Sequence, residues 1–171
     1  MEVRWPSGGG PADYQFTYLN RQLPPLRREG AGEPTSGAGG IDYTARSGPR
    51  PVLGEVKRES DQNPFYALVQ LLTYLSEMAT EKQVARATQH EEFGLSLAFP
   101  QPFDLHILLA DFNDRGEKGP LIDLTRRLAA AFKTRLAIYP VPAAAVVGTV
   151  MCLRLDSGAF ADRYVDCVWH V

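Results

Sequence analysis

The 171-residue chain lacks most of the features that name a function outright. It has two cysteines, Cys152 and Cys167, and no C-x-x-C pair. That excludes a disulfide framework and a cysteine-based zinc site, and both thiols, set in apolar stretches, read as buried and inert. No run of about 18 or more uncharged apolar residues occurs, so no transmembrane helix is expected. The nearest stretch, VPAAAVVGTVMCL, is too short. Positive charge is not in excess: 18 Lys and Arg stand against 20 Asp and Glu, a net charge of −2. That argues against coating of nucleic acid through bulk charge and leaves a local basic strip open. Neither G-x-G-x-x-G nor a P-loop is present, which argues against a nucleotide-binding doubly wound fold. The start, MEVRWPSGGG, does not follow the basic-then-apolar order of a signal peptide, and a cytoplasmic location is the expectation.

The composition that remains is that of an ordinary globular protein with one core. Residues 1–39 differ from the rest. Gly and Pro are concentrated there (SGGGP, LPPLRREGAGEPTSGAGG), around one aromatic segment, YQFTYLNRQL, whose pattern fits a strand or a short helix equally. A flexible loop is expected from about Pro24 to Gly39, and a single α/β domain over 40–171. In that domain GIDYTAR and RPVLGEVKRE read as a hairpin joined by SGP. Asp61 or Asn63 can cap a helix that has Pro64 in its first turn. That helix should run to Glu81 or Thr88 with an apolar stripe of Phe65, Leu68, Leu72, Leu75 and Ala79. FDLHILLADF reads as a central strand and PLIDLTRRLAAAFKTRL as an amphipathic helix. Two further strands follow, within 144–155 and 162–171. The expected fold is a central mixed sheet flanked by helices.

Strand alternation puts Glu55 and Lys57 on one face, with Gly54 and Val56 on the other. Asp42 lies on the preceding strand of the hairpin. Two carboxylates from paired strands can reach one divalent ion, and the Val56 carbonyl can add an oxygen. Oxygen-only ligation suits Mg²⁺ or Mn²⁺ rather than zinc. A lysine beside such an ion can position a water or offset developing phosphate charge, the equipment of phosphodiester hydrolysis.

The pair ID at 41–42 and the triplet EVK at 55–57 resemble the PD-(D/E)XK nuclease superfamily, and QLLTY in the next helix is similar to the Q-x-x-x-Y signature of one of its branches. The resemblance implies a restriction-endonuclease-like αβββαβ core with extra C-terminal strands. It implies metal ligation by Asp42 and Glu55, a catalytic Lys57, and support of the site or the DNA by Gln70 and Tyr74. Arg46, Arg50, Arg58 and Lys82 would contact phosphate. Ile41 stands where the family's name has proline. The upstream glutamates are Glu2, Glu29 and Glu33, the last two in the Gly/Pro-rich loop.

The alternative is a domain of the same fold without turnover, binding nucleic acid, a protein partner or a second copy of itself. On a helical wheel Gln70 and Tyr74 project nearly opposite the expected stripe, which fits a cleft-facing surface and a solvated one alike. His90 reads as a loop residue and His106 as a satisfied core residue. Asp111 and Asp114 are minor candidates for extra acids. Trp5 and Trp169 read as packing, and Arg126, Arg127, Lys133 and Arg135 as a solvated helix face.

Overall fold

In a computed structural model, residues 1–5, 10, 14–23, 40–58, 63–78, 80–89, 99–111, 118–138, 147–156 and 163–171 are described. The strands are β1 (Glu2–Arg4), β2 (Thr17–Leu23), β3 (Ile41–Ser47), β4 (Arg50–Lys57), β5 (Phe103–Ala110), β6 (Val147–Leu155) and β7 (Tyr164–His170). The helices are α1 (Pro64–Met78), α2 (Glu81–Gln89) and α3 (Lys118–Leu136). The strands form one mixed sheet in the order β1-β7-β6-β5-β4-β3-β2. β2, β3 and β4 make an antiparallel meander, and β5 then pairs parallel to β4 after the α1–α2 crossover. β6 lies parallel to β5 after α3, β7 returns antiparallel, and β1 joins parallel to β7.

The sheet curls until its two edges meet. Glu2 bridges Gln15, Phe16 N–H donates to the Met1 carbonyl at 3.0 Å, and the N-terminal ammonium donates to the Phe16 carbonyl at 2.9 Å. Closing the curl in this way satisfies edge groups that would otherwise need water or a partner strand. Two cores result. The outer face, under α1 and α3, buries Leu53, Leu71, Tyr74, Leu105, Ile107 and Leu109. The concave inner face holds Val3, Tyr14, Phe16, Tyr43, Val52, Met151 and Leu153. Cys152 and Cys167 are both buried, and burial pushes the Cys167 thiol up to about 12.

The aromatic N-terminal segment resolves as strand, and its residues Tyr14 and Phe16 enter the inner core. The expected loop from about Pro24 to Gly39, and with it Glu29 and Glu33, lies outside the described residues, as do Asp61, Ala79, His90 and Asp114. Among the described residues no helix precedes β2. α1 begins where the sequence indicates, with Asn63 Oδ1 accepting the Tyr66 N–H at 3.1 Å. The expected long helix is two helices, broken after Met78. Its apolar stripe is also rotated from expectation. Phe65 is exposed and Leu72 only half-buried, while Ala67, Leu68, Leu71, Tyr74, Leu75 and Met78 are buried. The first half of α1 is apolar on nearly every side, so periodicity alone does not choose the buried face. The rotation turns Gln70 and Tyr74 toward the sheet. No described helix is long and apolar enough to cross a membrane.

Candidate active site at the end of β4

The β3–β4 ladder runs from Ser47↔Arg50 to Tyr43↔Gly54 and then stops. Gly54 is required there because the Tyr43 ring lies flat across it, and a Cβ would collide with that ring. One step further on, the Asp42 side chain replaces the backbone partner. Its Oδ2 accepts the Val56 N–H at 2.8 Å. A side-chain acceptor in place of a carbonyl lets the strands part without leaving the Val56 donor unsatisfied. It also sets a carboxylate against the peptide that joins Glu55 to Val56.

β4 is interior to the sheet, between β3 and β5, and its outer face is covered by α1. Glu55 and Lys57 project to that face and are only 3 % exposed. The Lys57 ammonium donates to Glu55 Oε1 at 3.1 Å and to Gln70 Oε1 of α1 at 2.8 Å. It also lies 5.1 Å from the centre of the Tyr66 ring, within cation–π range. An ammonium so deep would be costly alone, and the adjacent carboxylate, amide oxygen and ring face offset that cost. Tyr74, one turn beyond Gln70, is buried in the outer core. The structure therefore joins Glu55, Lys57 and Gln70 through the Lys57 ammonium and Asp42 to the Val56 N–H, with Tyr74 buried in the core beneath the same helix.

The four cations expected to contact phosphate do not share one place. Arg58 follows Lys57 directly and is exposed, and Lys82 is exposed at the start of α2. Arg46 and Arg50 sit at the hairpin turn, and Arg50 is roughly 23 Å from Lys57 at about 3.3 Å per strand residue. The Arg50 guanidinium pairs instead with Asp104 Oδ2 at 3.3 Å.

Asp104 belongs to a second polar cluster that the sequence reading missed. Inside the curl, Tyr14 Oη lies 2.9 Å from Asp104 Oδ2 and 2.9 Å from His106 Nε2, and Tyr43 Oη lies 3.2 Å from His106 Nδ1. Thr149 N–H donates to Asp104 Oδ1 at 2.8 Å. A carboxylate only accepts, so the Tyr14 hydroxyl donates to Asp104 and accepts from His106 Nε2–H. Nδ1 is then bare and accepts from Tyr43. Burial holds the His106 imidazole far below its usual range, at about 3, and raises both tyrosine hydroxyls. His106 is thus a satisfied core residue, as expected. The available clue to its partner was the alternation in FDLHILLA, which puts Asp104 and His106 on one face of a central strand.

Asp42, Glu55 and the Val56 carbonyl form a set of hard oxygen donors suited to Mg²⁺ or Mn²⁺, ions that keep several of their waters and need few protein ligands. Among the described residues no group of three or more His, Cys, Asp or Glu gathers around such a point. Compared with family models, with curated proteins and with solved structures, the chain finds no match.

Proposed function

We propose that the protein is a divalent-metal-dependent nuclease of the PD-(D/E)XK type, hydrolysing DNA phosphodiester bonds at the end of β4. The observation that carries this reading is the Lys57 ammonium, fixed between Glu55 and Gln70 one residue beyond the Val56 N–H that the Asp42 carboxylate accepts. The run β2–β3–β4–α1–β5, an antiparallel meander followed by a helical crossover to a parallel strand, supports it as well. That order resembles the family core after its first helix.

In this reading Asp42, Glu55 and the Val56 carbonyl hold the ion. An Mg²⁺ or Mn²⁺ ion held by these residues would supply Lewis-acid polarisation of a phosphoryl oxygen and a more acidic water. Lys57 offsets negative charge that builds on the phosphate and orients the attacking water. Gln70 acts through Lys57, holding the ammonium at one angle, and is a positioning residue. Tyr74 fixes the helix turn that carries Gln70.

Calorimetric titration with Mn²⁺ tests the assignment. Wild type should bind, and Asp42→Asn and Glu55→Gln, each shown to be folded by circular dichroism, should not. Cleavage of DNA should require the metal and be lost in Lys57→Gln, which keeps a donor for Glu55. A folded wild type without Mn²⁺ binding, or equal cleavage in wild type and Lys57→Gln, would overturn it.

A second reading is a domain without turnover that binds nucleic acid, a protein partner or a second copy. It is favoured by the burial of the Lys57–Glu55 pair, whose side chains are each only 4 % exposed. A purely structural ion pair takes the same arrangement. A folded chain that ignores Mn²⁺ but forms a stable dimer or complex would select this reading.

A further inference from the structure

Lys57 is buried, and the ring that lies over its ammonium is not. Tyr66, whose ring lies over the Lys57 ammonium, keeps 53 % of its surface exposed, and its neighbours Phe65 and Val69 are 39 % and 42 % exposed. Large apolar side chains at these helix positions would ordinarily be turned into the core, and α1 has a full buried face without them. Arg58 is exposed at the adjacent end of β4. An exposed aromatic ring therefore covers a buried ammonium, and an exposed cation, Arg58, follows directly on the strand.

We infer that Tyr66, with Phe65 beside it, is a stacking platform for an unpaired base next to the phosphate that Lys57 faces, so that the site takes single-stranded nucleic acid in preference to duplex. The inference rests on the nuclease reading for the phosphate at Lys57 and adds the substrate class. In a duplex both faces of each internal base are taken by its neighbours, and a fixed surface ring gains nothing from them. An unpaired base offers a free face, whatever its identity, and stacking of this kind is worth about tenfold or more in affinity per base. It also suits a protein of net charge −2. Such a chain cannot rely on bulk electrostatic attraction, whereas a stacked base adds affinity that salt does not screen.

Fluorescence anisotropy with labelled oligothymidylate and with a duplex of equal length tests the inference, using the full chain in chelator so that no cleavage occurs. Wild type should prefer the single strand by about tenfold or more, and should lose less single-strand than duplex affinity as salt rises. Tyr66→Ala should lose about tenfold in single-strand affinity with duplex binding unchanged. Tyr66→Trp should retain it, and Val69→Ser, on the same exposed face, should leave both unchanged. Binding of neither nucleic acid, equal binding of both, or an unchanged Tyr66→Ala would overturn the platform. If Mn²⁺ binding and Lys57-dependent cleavage are present but Tyr66→Ala treats both substrates as wild type does, only the platform fails. If single-strand binding needs Tyr66 but no Mn²⁺ binds, the nuclease reading fails and the platform stands as a binding site.

Discussion

The same sheet carries a buried polar cluster on each face, and the two are built on different principles. On the inner face Asp104, His106, Tyr14 and Tyr43 share a single consistent pattern of donors and acceptors, closed over by the curl. On the outer face Glu55, Lys57 and Gln70 gather where a ladder ends, beneath the ring of an exposed tyrosine. Both are buried and both contain an acid, so burial of charge does not by itself mark a site. What differs is the cover: the inner network is closed over by the sheet itself, and the outer one lies under α1, whose Tyr66 ring over the ammonium meets solvent.

The largest effects should come from the inner cluster. Asp104→Ala would strand the Tyr14 hydroxyl, the Thr149 N–H and the Arg50 guanidinium around a fully buried position. A loss of about 3–5 kcal/mol is expected in urea unfolding, with no single second substitution able to compensate at all three partners. A loss below about 1 kcal/mol would show that the inner network does not specify the fold.

Lys57→Ala should cost nearly as much, because it leaves Glu55 buried without its cation. Here the two clusters part. The double substitution Glu55→Leu with Lys57→Met removes both charges and should recover most of that loss, since apolar replacement of a buried pair is often neutral. If the double variant is as unstable as the single one, the outer pair is as deeply woven into the fold as the inner cluster.

What the sequence made legible follows the same division. Asp42, Glu55 and Lys57 could be placed together because a short hairpin turn fixes register and strand alternation fixes the face. The inner cluster could not be read in the same way. Tyr14 and Asp104 are 90 positions apart, and only the curl of the sheet joins them. The N-terminal segment stayed open between strand and helix because YQFTYLN satisfies either period. The buried face of α1 was misplaced because Phe65, Tyr66 and Val69 are as apolar as the residues that pack.

Acid should separate the clusters next. His106 is held neutral, at about 3 against 6.5 when unfolded. Between those values the unfolded chain binds a proton that the native state refuses, so stability falls as pH drops through 6.5 toward about 3. The slope from this residue is about 1.4 kcal/mol per pH unit within the window. Urea midpoints measured from pH 7 downward should show that slope in wild type, and His106→Gln should flatten it by the same amount. An identical slope in both proteins would mean that His106 already carries its proton in the native state.

The smallest expected change in stability belongs to Gln70, and it is the one that divides structure from function most sharply. Its side chain is half-buried, and its Oε1 takes one ammonium proton of Lys57 while Glu55 takes another. Gln70→Ala removes one hydrogen bond and leaves the ion pair, a loss of about 1 kcal/mol. If Lys57 works on a phosphate, that mild change frees the ammonium to swing, and a misplacement of about 1 Å is worth about a hundredfold in rate. Cleavage kinetics should therefore show kcat falling by roughly that factor with KM almost unchanged, because Gln70 orients Lys57 and does not itself hold substrate. Gln70→Glu, which restores an acceptor at the same distance, should regain part of kcat. A variant that loses its 1 kcal/mol and keeps wild-type kcat would make Gln70 a strut for a buried lysine, and Lys57 a structural charge like Asp104 on the other face.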